Sequence, residues 1–264
     1  MGTRVPLIIE VDAEDPDCAE ILADGTIAGR PYRFMIDTGA GRSQVVADTF
    51  TWTLPSVGTH TSTGVFGTRD NDLIVLPDIA LGATTVTSVE AGRVQSGEHN
   101  LLGTDVLGRH CCVFDFDAAE LRFEASGTVS ARWDLVTDAR GHSYVDVAWS
   151  GASGYACWDS GAGITIADSA FVERNRSLFM AAGTSSGTDV TGADAQTATF
   201  VMSQARIGDV VFASHKVAAV DLSRANAGLD RRMDLILGYT TLSQANWVFD
   251  FPRRRWDVTS RRRP

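Results

Sequence analysis

An all-β protein with two lobes and a cleft between them is the fold class this 264-residue sequence predicts. Three observations carry that expectation. Short apolar runs such as Pro6-Leu7-Ile8-Ile9-Glu10-Val11, Tyr32-Arg33-Phe34-Met35-Ile36 and Asp72-Leu73-Ile74-Val75-Leu76 are broken by Gly, Pro, Asp and Ser, the pattern of strands and turns. Helical periodicity is brief, with residues 44–51, 165–174 and 221–229 the places for short helices. Above all, two segments recur in the same order in both halves of the chain.

The first repeated segment is Phe34-Met35-Ile36-Asp37-Thr38-Gly39-Ala40-Gly41, echoed by Ala156-Cys157-Trp158-Asp159-Ser160-Gly161-Ala162-Gly163. The second is Leu101-Leu102-Gly103-Thr104-Asp105-Val106-Leu107 with Val113-Phe114-Asp115-Phe116, echoed by Ile236-Leu237-Gly238-Tyr239-Thr240-Thr241-Leu242 with Val248-Phe249-Asp250-Phe251. The offset is 122 between Asp37 and Asp159 and 135 between Gly103 and Gly238, so the second half carries 13 extra residues between its motifs. The polar, Gly-rich stretch 183–197 is where a loop of that size fits the composition. Ile8-Ile9-Glu10-Val11-Asp12 is the upstream match for Tyr144-Val145-Asp146-Val147. The expected division is a first lobe at 1–128 and a second at 129–264, with residues 126–131 as the crossover.

An Asp that follows an apolar strand and precedes Thr/Ser-Gly sits where the strand turns sharply. Gly39 and Gly161 permit the turn, and the hydroxyls of Thr38 and Ser160 anchor it. Two such turns meeting back to back bring their carboxyls within hydrogen-bonding distance. Like charges that close do not both ionise readily, so the pair shares a proton and its two apparent pKa values separate. One carboxylate then takes a proton from water while the other donates to a carbonyl oxygen, which is what hydrolysis of an unactivated amide requires.

These residues resemble the pepsin-like and retropepsin-like aspartic peptidases, whose signature is an apolar residue, Asp, Thr or Ser, and Gly, followed further on by an apolar-apolar-Gly segment. Both halves carry both parts, and the resemblance spans nearly the whole chain. It implies a compact, single-chain, bilobal acid-protease fold and an aspartic endopeptidase with Asp37 and Asp159 catalytic. It also implies that Thr38 and Ser160 interlock across the lobes, that Gly39 and Gly161 support the turns, and that Gly103 and Gly238 pack against them. The family closes a β-hairpin flap over its substrate; Phe66-Gly67-Thr68, beside Gly64, stands where the flap tip is expected.

Other chemistries find less support. A lone Asp-Ser/Thr-Gly arises by chance in roughly one chain in ten of this length; the matched second element is what gives the pair weight. The competing reading is a pepsin-shaped module that binds peptides or proteins without cutting them, whose usual mark is loss of one aspartate. Both are present here. His60, His99, His110, His142 and His215 form no His-Glu-x-x-His pair, so they read as surface or packing residues, and no metal or other cofactor is expected. Gly39-Ala40-Gly41 lacks the third Gly of a dinucleotide turn, and no Gly-x-Ser-x-Gly elbow is present. Asp115 and Asp250 alternate with Phe residues on their strands, which directs them toward solvent or a lobe edge as structural groups. Trp158, beside Asp159, is placed to influence how dry the dyad is.

A formal charge of −10 disfavours nucleic acid, whose binders concentrate Lys and Arg. The runs Arg253–Arg255 and Arg261–Arg263 read as a solvated tail. A hydrophobic content of 44% with 21% charged residues is that of a folded protein. No stretch approaches the ~20 apolar residues needed to span a bilayer, and Met1 to Pro6 lack the apolar core of a signal peptide, so a complete chain is expected in the cytoplasm. Cys18, Cys111, Cys112 and Cys157 have no C-x-x-C spacing and read as reduced structural thiols, with one of the vicinal pair buried. The expected partner is a peptide or protein substrate, met by a monomer without nucleic acid or membrane.

Overall fold

The computed structural model describes residues 2–95, 98–188 and 191–260. Among them the chain is mostly β, arranged in three sheets. An eight-stranded sheet is drawn wholly from the strands between Ile8–Val11 and Leu101–Leu102. A ten-stranded sheet is drawn from those between Val136–Thr137 and Leu235–Leu237.

Each sheet holds one copy of the repeated pattern in the same way. Arg30–Ile36 pairs antiparallel with Ala19–Ile27 on one side and parallel with Leu101–Leu102 on the other. Ala152–Trp158 pairs antiparallel with Ser143–Trp149 and parallel with Leu235–Leu237. The two-residue alternation of a strand sends Phe34 and Ile36, like Ala156 and Trp158, into the core, and turns Asp37 and Asp159 to the opposite face. Tyr144 to Val147 therefore matches Leu22 to Gly25 and not Ile8 to Asp12, since Ser143–Trp149 and Ala19–Ile27 are the strands that flank the Asp-bearing ones.

The third sheet joins the halves. Its two middle strands, Cys111–Asp115 and Ala245–Asp250, pair antiparallel with Val113 opposite Val248. Those two residues are 135 positions apart, the same offset as Gly103 and Gly238, so equivalent residues face one another across the centre. Trp158 lies at this junction, against Phe114, Trp247 and Phe249. Its ring points into the core and away from the Asp159 carboxyl, so its influence on the dyad is through the frame.

Several local expectations are corrected. Residues 44–51 are not a helix: Gln44–Val46 is a strand beside Thr84–Val94, and the Asp48 carboxylate accepts the Phe50 and Thr51 N–H groups at 2.9 and 2.7 Å, starting a 3-10 turn over Thr51–Thr53. A short Asp side chain that captures nearby N–H groups competes with helix. In 165–174 only Ser169–Arg174 is helical, the β-branched start Thr165–Asp168 being a strand. Residues 221–229 form turns that end at Gly228, whose φ is 77°. Cys111 and Cys112 are both buried, because the joining sheet is covered on both faces. Asp115 lies at the edge beside Arg122, but Asp250 is fully buried and accepts hydrogen bonds from Ser126 Oγ and Gly127 N at 2.7 and 2.8 Å, pinning the connection between the halves. Arg253 and Arg254 form the turn between Ala245–Asp250 and Arg255–Ser260, and are no tail. Residues 261–263 lie outside the described residues. No described helix is long and apolar enough to cross a membrane.

Most of the extra length of the second half is also not where composition put it. Residues 183–197 belong to a hairpin whose arms are Phe179–Thr188 and Asp194–Met202. Gly82 and Gly208 sit at equivalent turns, with φ of 57° and 55°, and are 126 positions apart. Four of the 13 residues are therefore inserted before that turn and nine after it, where the fifteen residues 221–235 stand in place of the six residues 95–100.

Candidate active site

Asp37 and Asp159 end equivalent strands, and the backbone fixes them alike. Asp37 N–H donates to Leu102 O and Asp159 N–H to Leu237 O, each at 3.0 Å. Beyond each Asp the chain turns so that its own carboxylate caps it. Asp37 Oδ1 accepts the Gly39 and Ala40 N–H groups at 2.9 Å, and Asp159 Oδ1 accepts Gly161 N–H at 2.9 Å.

The turns are locked to each other by exchanged hydrogen bonds. Thr38 N–H donates to Ser160 Oγ at 3.2 Å, and Ser160 N–H to Thr38 Oγ1 at 3.1 Å. Each hydroxyl then donates across the junction, Thr38 Oγ1 to Trp158 O at 3.0 Å and Ser160 Oγ to Ile36 O at 2.6 Å. Both side chains are buried, so every one of these polar atoms needs the partner the other half supplies. The predicted interlock is present, and it sets the carboxyls of Asp37 and Asp159 side by side, each against the glycine of the opposite turn and close enough to perturb the other. Gly39 lies against the Asp159 carboxyl and Gly161 against that of Asp37, so a Cβ at either would overlap the opposite carboxyl.

The apolar-apolar-Gly elements support these turns from behind. Thr104 N–H donates to Ala40 O and Tyr239 N–H to Ala162 O, both at 2.8 Å. Gly103 and Gly238 pass so close to those carbonyls that a Cβ would overlap them. A second pair of supports lies six residues beyond each Asp and was not singled out from sequence. Ser43 Oγ donates to Asp105 Oδ1 at 2.7 Å and accepts Gly103 N–H at 3.0 Å. Thr165 Oγ1 accepts Gly238 N–H at 3.1 Å and lies 2.7 Å from Thr241 Oγ1. The signal was available, since Ser43 and Thr165 share the 122-residue offset.

Burial is the main reason both carboxyls hold their protons more tightly than usual. Asp37 is raised well above the ordinary carboxylate range, first by burial and then by the charge of Asp159. Asp159 is raised by burial against the pull of Gly161 N–H and of His142. His142 was read as a surface or packing residue; in the strand register it stands opposite Asp159, one step beyond the Ser143–Trp158 pair. Its Nδ1 lies 2.8 Å from Asp138 Oδ2, which also accepts Tyr144 Oη at 2.8 Å. The two carboxyls are coupled, so they titrate as a pair and not as two independent acids.

A hairpin with arms Ser56–Thr63 and Thr68–Leu81 carries Phe66 and Gly67 at its tip, closed by Gly64 N–H donating to Gly67 O at 2.9 Å; Thr68 starts the return arm opposite Thr63. Sequence reading did not find its counterpart, the hairpin Phe179–Met202. The two tips meet: Gly67 lies against Thr191 and Ala193, leaving no room for a side chain.

Two aspartates brought together from matching strand ends in a mostly β chain are an arrangement similar to that of aspartic peptidases. Residues 23–109, which include Asp37-Thr38-Gly39, the first hairpin and Leu101-Leu102-Gly103, match the family model described as gag-polyprotein putative aspartyl protease, and this supports an aspartic peptidase of the retropepsin type. No curated protein matches the chain.

Proposed function

We propose that the protein is an aspartic endopeptidase in which Asp37 and Asp159 activate water against a peptide bond. The carrying observation is the closely set, electrostatically coupled carboxyl pair held by the Thr38–Ser160 exchange. Two acids in contact with one proton between them form a matched acid and base, and burial keeps that proton in place toward neutral pH. Asp159 takes a proton from water as the oxygen bonds to the scissile carbonyl carbon. Asp37 gives its proton to the carbonyl oxygen, leaving a tetrahedral diol. When the C–N bond breaks, a proton passes from the dyad to the leaving nitrogen, and no covalent enzyme intermediate forms. The hairpin Ser56–Leu81 covers an extended peptide, whose backbone it can meet as an added strand.

The test is digestion of a diverse peptide mixture, read by mass spectrometry from about pH 4 to about pH 7, the range open to a shared-proton dyad. Asp37→Asn and Asp159→Asn are each expected to lower cleavage on the order of 10²–10⁴-fold, the usual contribution of a general acid or base, with circular dichroism unchanged. Cuts that survive both substitutions overturn the dyad. Binding without cuts by the parent moves the reading to the peptide-binding module.

A further inference from the structure

Behind the second aspartate the supporting hydroxyls do not end at the turn. Thr165 Oγ1, which accepts Gly238 N–H at 3.1 Å, lies 2.7 Å from Thr241 Oγ1, and Thr241 Oγ1 lies 2.7 Å from His215 Nε2. The other ring nitrogen, Nδ1, lies 2.7 Å from Ala213 O. Both threonines are buried and the histidine is half-buried. The parallel pairs Gln44–Gly92 and Ile166–Ala218 relate the strand of His215 to the first half by an offset of 126. With the offset of 135 at the second motif, His215 and Thr241 correspond to Val89 and Val106, both buried and apolar. The first half therefore has no such chain.

Hydrogen-bond direction along this chain is fixed from its outer end. A carbonyl oxygen only accepts, so the proton of the neutral ring is on Nδ1, donated to Ala213 O, and Nε2 is bare. Ala213 is itself held, its N–H donating to Gln244 Oε1 at 2.8 Å. Thr241 must then donate to Nε2 and Thr165 to Thr241, so that each hydroxyl gives one hydrogen bond and receives one. A proton on Nε2 reverses this order. The Thr241 hydrogen would turn to Thr165, whose own hydrogen is left with Gly238 O at 3.4 Å, a poor distance for a buried donor. Among the described residues no charged group acts on the ring to favour that proton. Lys216, next on the strand, pairs with Asp15, and Glu173 and Arg174 of the adjacent helix pair with Arg176 and Asp234. The neighbouring strand sets Met202 opposite His215, and the helix Tyr239–Leu242 brings Thr241. Burial pushes the ring's pKa below the ordinary histidine value, so the chain is complete at neutral pH and is lost as pH falls.

Resting on the peptidase reading above, we infer that His215 is a positioning residue for Asp159, its bare Nε2 anchoring the hydroxyl chain that holds Gly238. Gly238 follows Leu237, whose carbonyl receives Asp159 N–H at 3.0 Å, so the chain ends on the segment that sets the aspartate's height. His215 acts through Thr241 and Thr165 and not on the reacting atoms.

The experiment uses the full chain as parent, His215→Gln, His215→Leu and Thr241→Val, assayed on one cleaved peptide from about pH 4 to about pH 7. His215→Leu and Thr241→Val each remove the same link, and each is expected to lower kcat on the order of tenfold with KM little changed, less than the 10²-fold of a 1 Å displacement. Their double variant should lose no more than either single. Gln offers an amide oxygen to Thr241 and gains no proton, so His215→Gln should recover most of the neutral activity and keep more than the parent at the acid end. A second readout needs no turnover. In the parent labelled with ¹⁵N, the ring of His215 should show the Nδ1-protonated tautomer, and the Gly238 amide resonance should move as that ring titrates. In His215→Gln the amide should stay still through the same range. An Nε2-protonated tautomer, a Gly238 amide indifferent to the ring, or a Gln variant no better than Leu overturns the proposal. If the amide follows the ring while the parent cuts nothing, the chain stands and the peptidase reading falls; cuts with a still amide remove the chain alone.

Discussion

The two halves of the molecule share a frame and differ in what is hung on it. Asp37 and Asp159 end equivalent strands, with Asp N–H bonds of 3.0 Å to Leu102 and Leu237 and a matching Gly behind each turn. Around that frame the chemistry diverges. Behind the first turn, Ser43 bonds a half-buried carboxylate, Asp105; behind the second, Thr165 bonds the hydroxyls of Thr240 and Thr241. Opposite Asp37 in its ladder stands Glu20, and opposite Asp159 stands His142, again 122 positions apart. The closing segment has six residues in the first half and fifteen by the same alignment in the second, 221–235. Backbone geometry is thus what the two halves share, while the charged and polar groups around each turn differ from one side to the other. A dyad with identical surroundings would have no preferred acid.

The largest effects should come where the halves are most alike. Gly39→Ala and Gly161→Ala each drive a methyl group into the opposite carboxyl. Either variant is expected to lose on the order of 10²-fold or more in kcat/KM, the scale of a displacement near 1 Å at reacting groups, with loss of similar size from both sides. Steady-state assays on one cleaved peptide give the comparison, and a tolerant Gly161→Ala would show that the symmetry of the turns is only apparent.

Next in size is the interlock. Ser160→Ala and Thr38→Val leave buried N–H and carbonyl groups without the partner they now have, at a cost of about 1–3 kcal/mol each. Because the four bonds form one exchange, the double variant should cost less than the sum of the singles. Urea unfolding of the four proteins measures this. Additive costs would mean that the two hydroxyls act independently and that the exchange is not a unit.

Much of the frame was legible in the sequence because its requirements are local. An apolar strand, an acid, a hydroxyl and a Gly in that order specify a capped turn, and apolar-apolar-Gly specifies the close crossing behind it; both were read twice at fixed offsets. What escaped depended on tertiary partners. Residues 183–197 are polar and Gly-rich, yet pair as two arms because a hairpin standing clear of the core needs no buried face. Residues 221–229 look like a loop or short helix, and only the folded chain shows Leu222 and Leu229 turned onto Tyr155 and Ile236. Asp250 appeared to face solvent by alternation, but the connection Ser126–Gly127 folds over it. His142 carries no motif at all; its meaning lies in being one ladder step from Asp159.

That residue gives the finest test of how the halves differ. On the proposed mechanism activity rises with pH as the base of the dyad loses its proton, so the acidic limb of kcat/KM would follow the ionisation of Asp159 in the free enzyme. Burial raises the pKa of Asp159, and the electrostatic influence of His142, beside Asp138, opposes that rise. His142→Gln removes the opposition, so the carboxylate holds its proton to higher pH and the acidic limb should move upward. His142→Lys, which keeps a positive charge, should return it toward the parent. Glu20→Gln changes the equivalent place in the first half, where no attraction to Asp159 is lost, and should leave the acidic limb where it was. Full pH–rate profiles of the parent and the three variants decide the matter. An unmoved limb in His142→Gln, or equal shifts in His142→Gln and Glu20→Gln, would mean that the electrostatic difference between the halves does not reach the dyad.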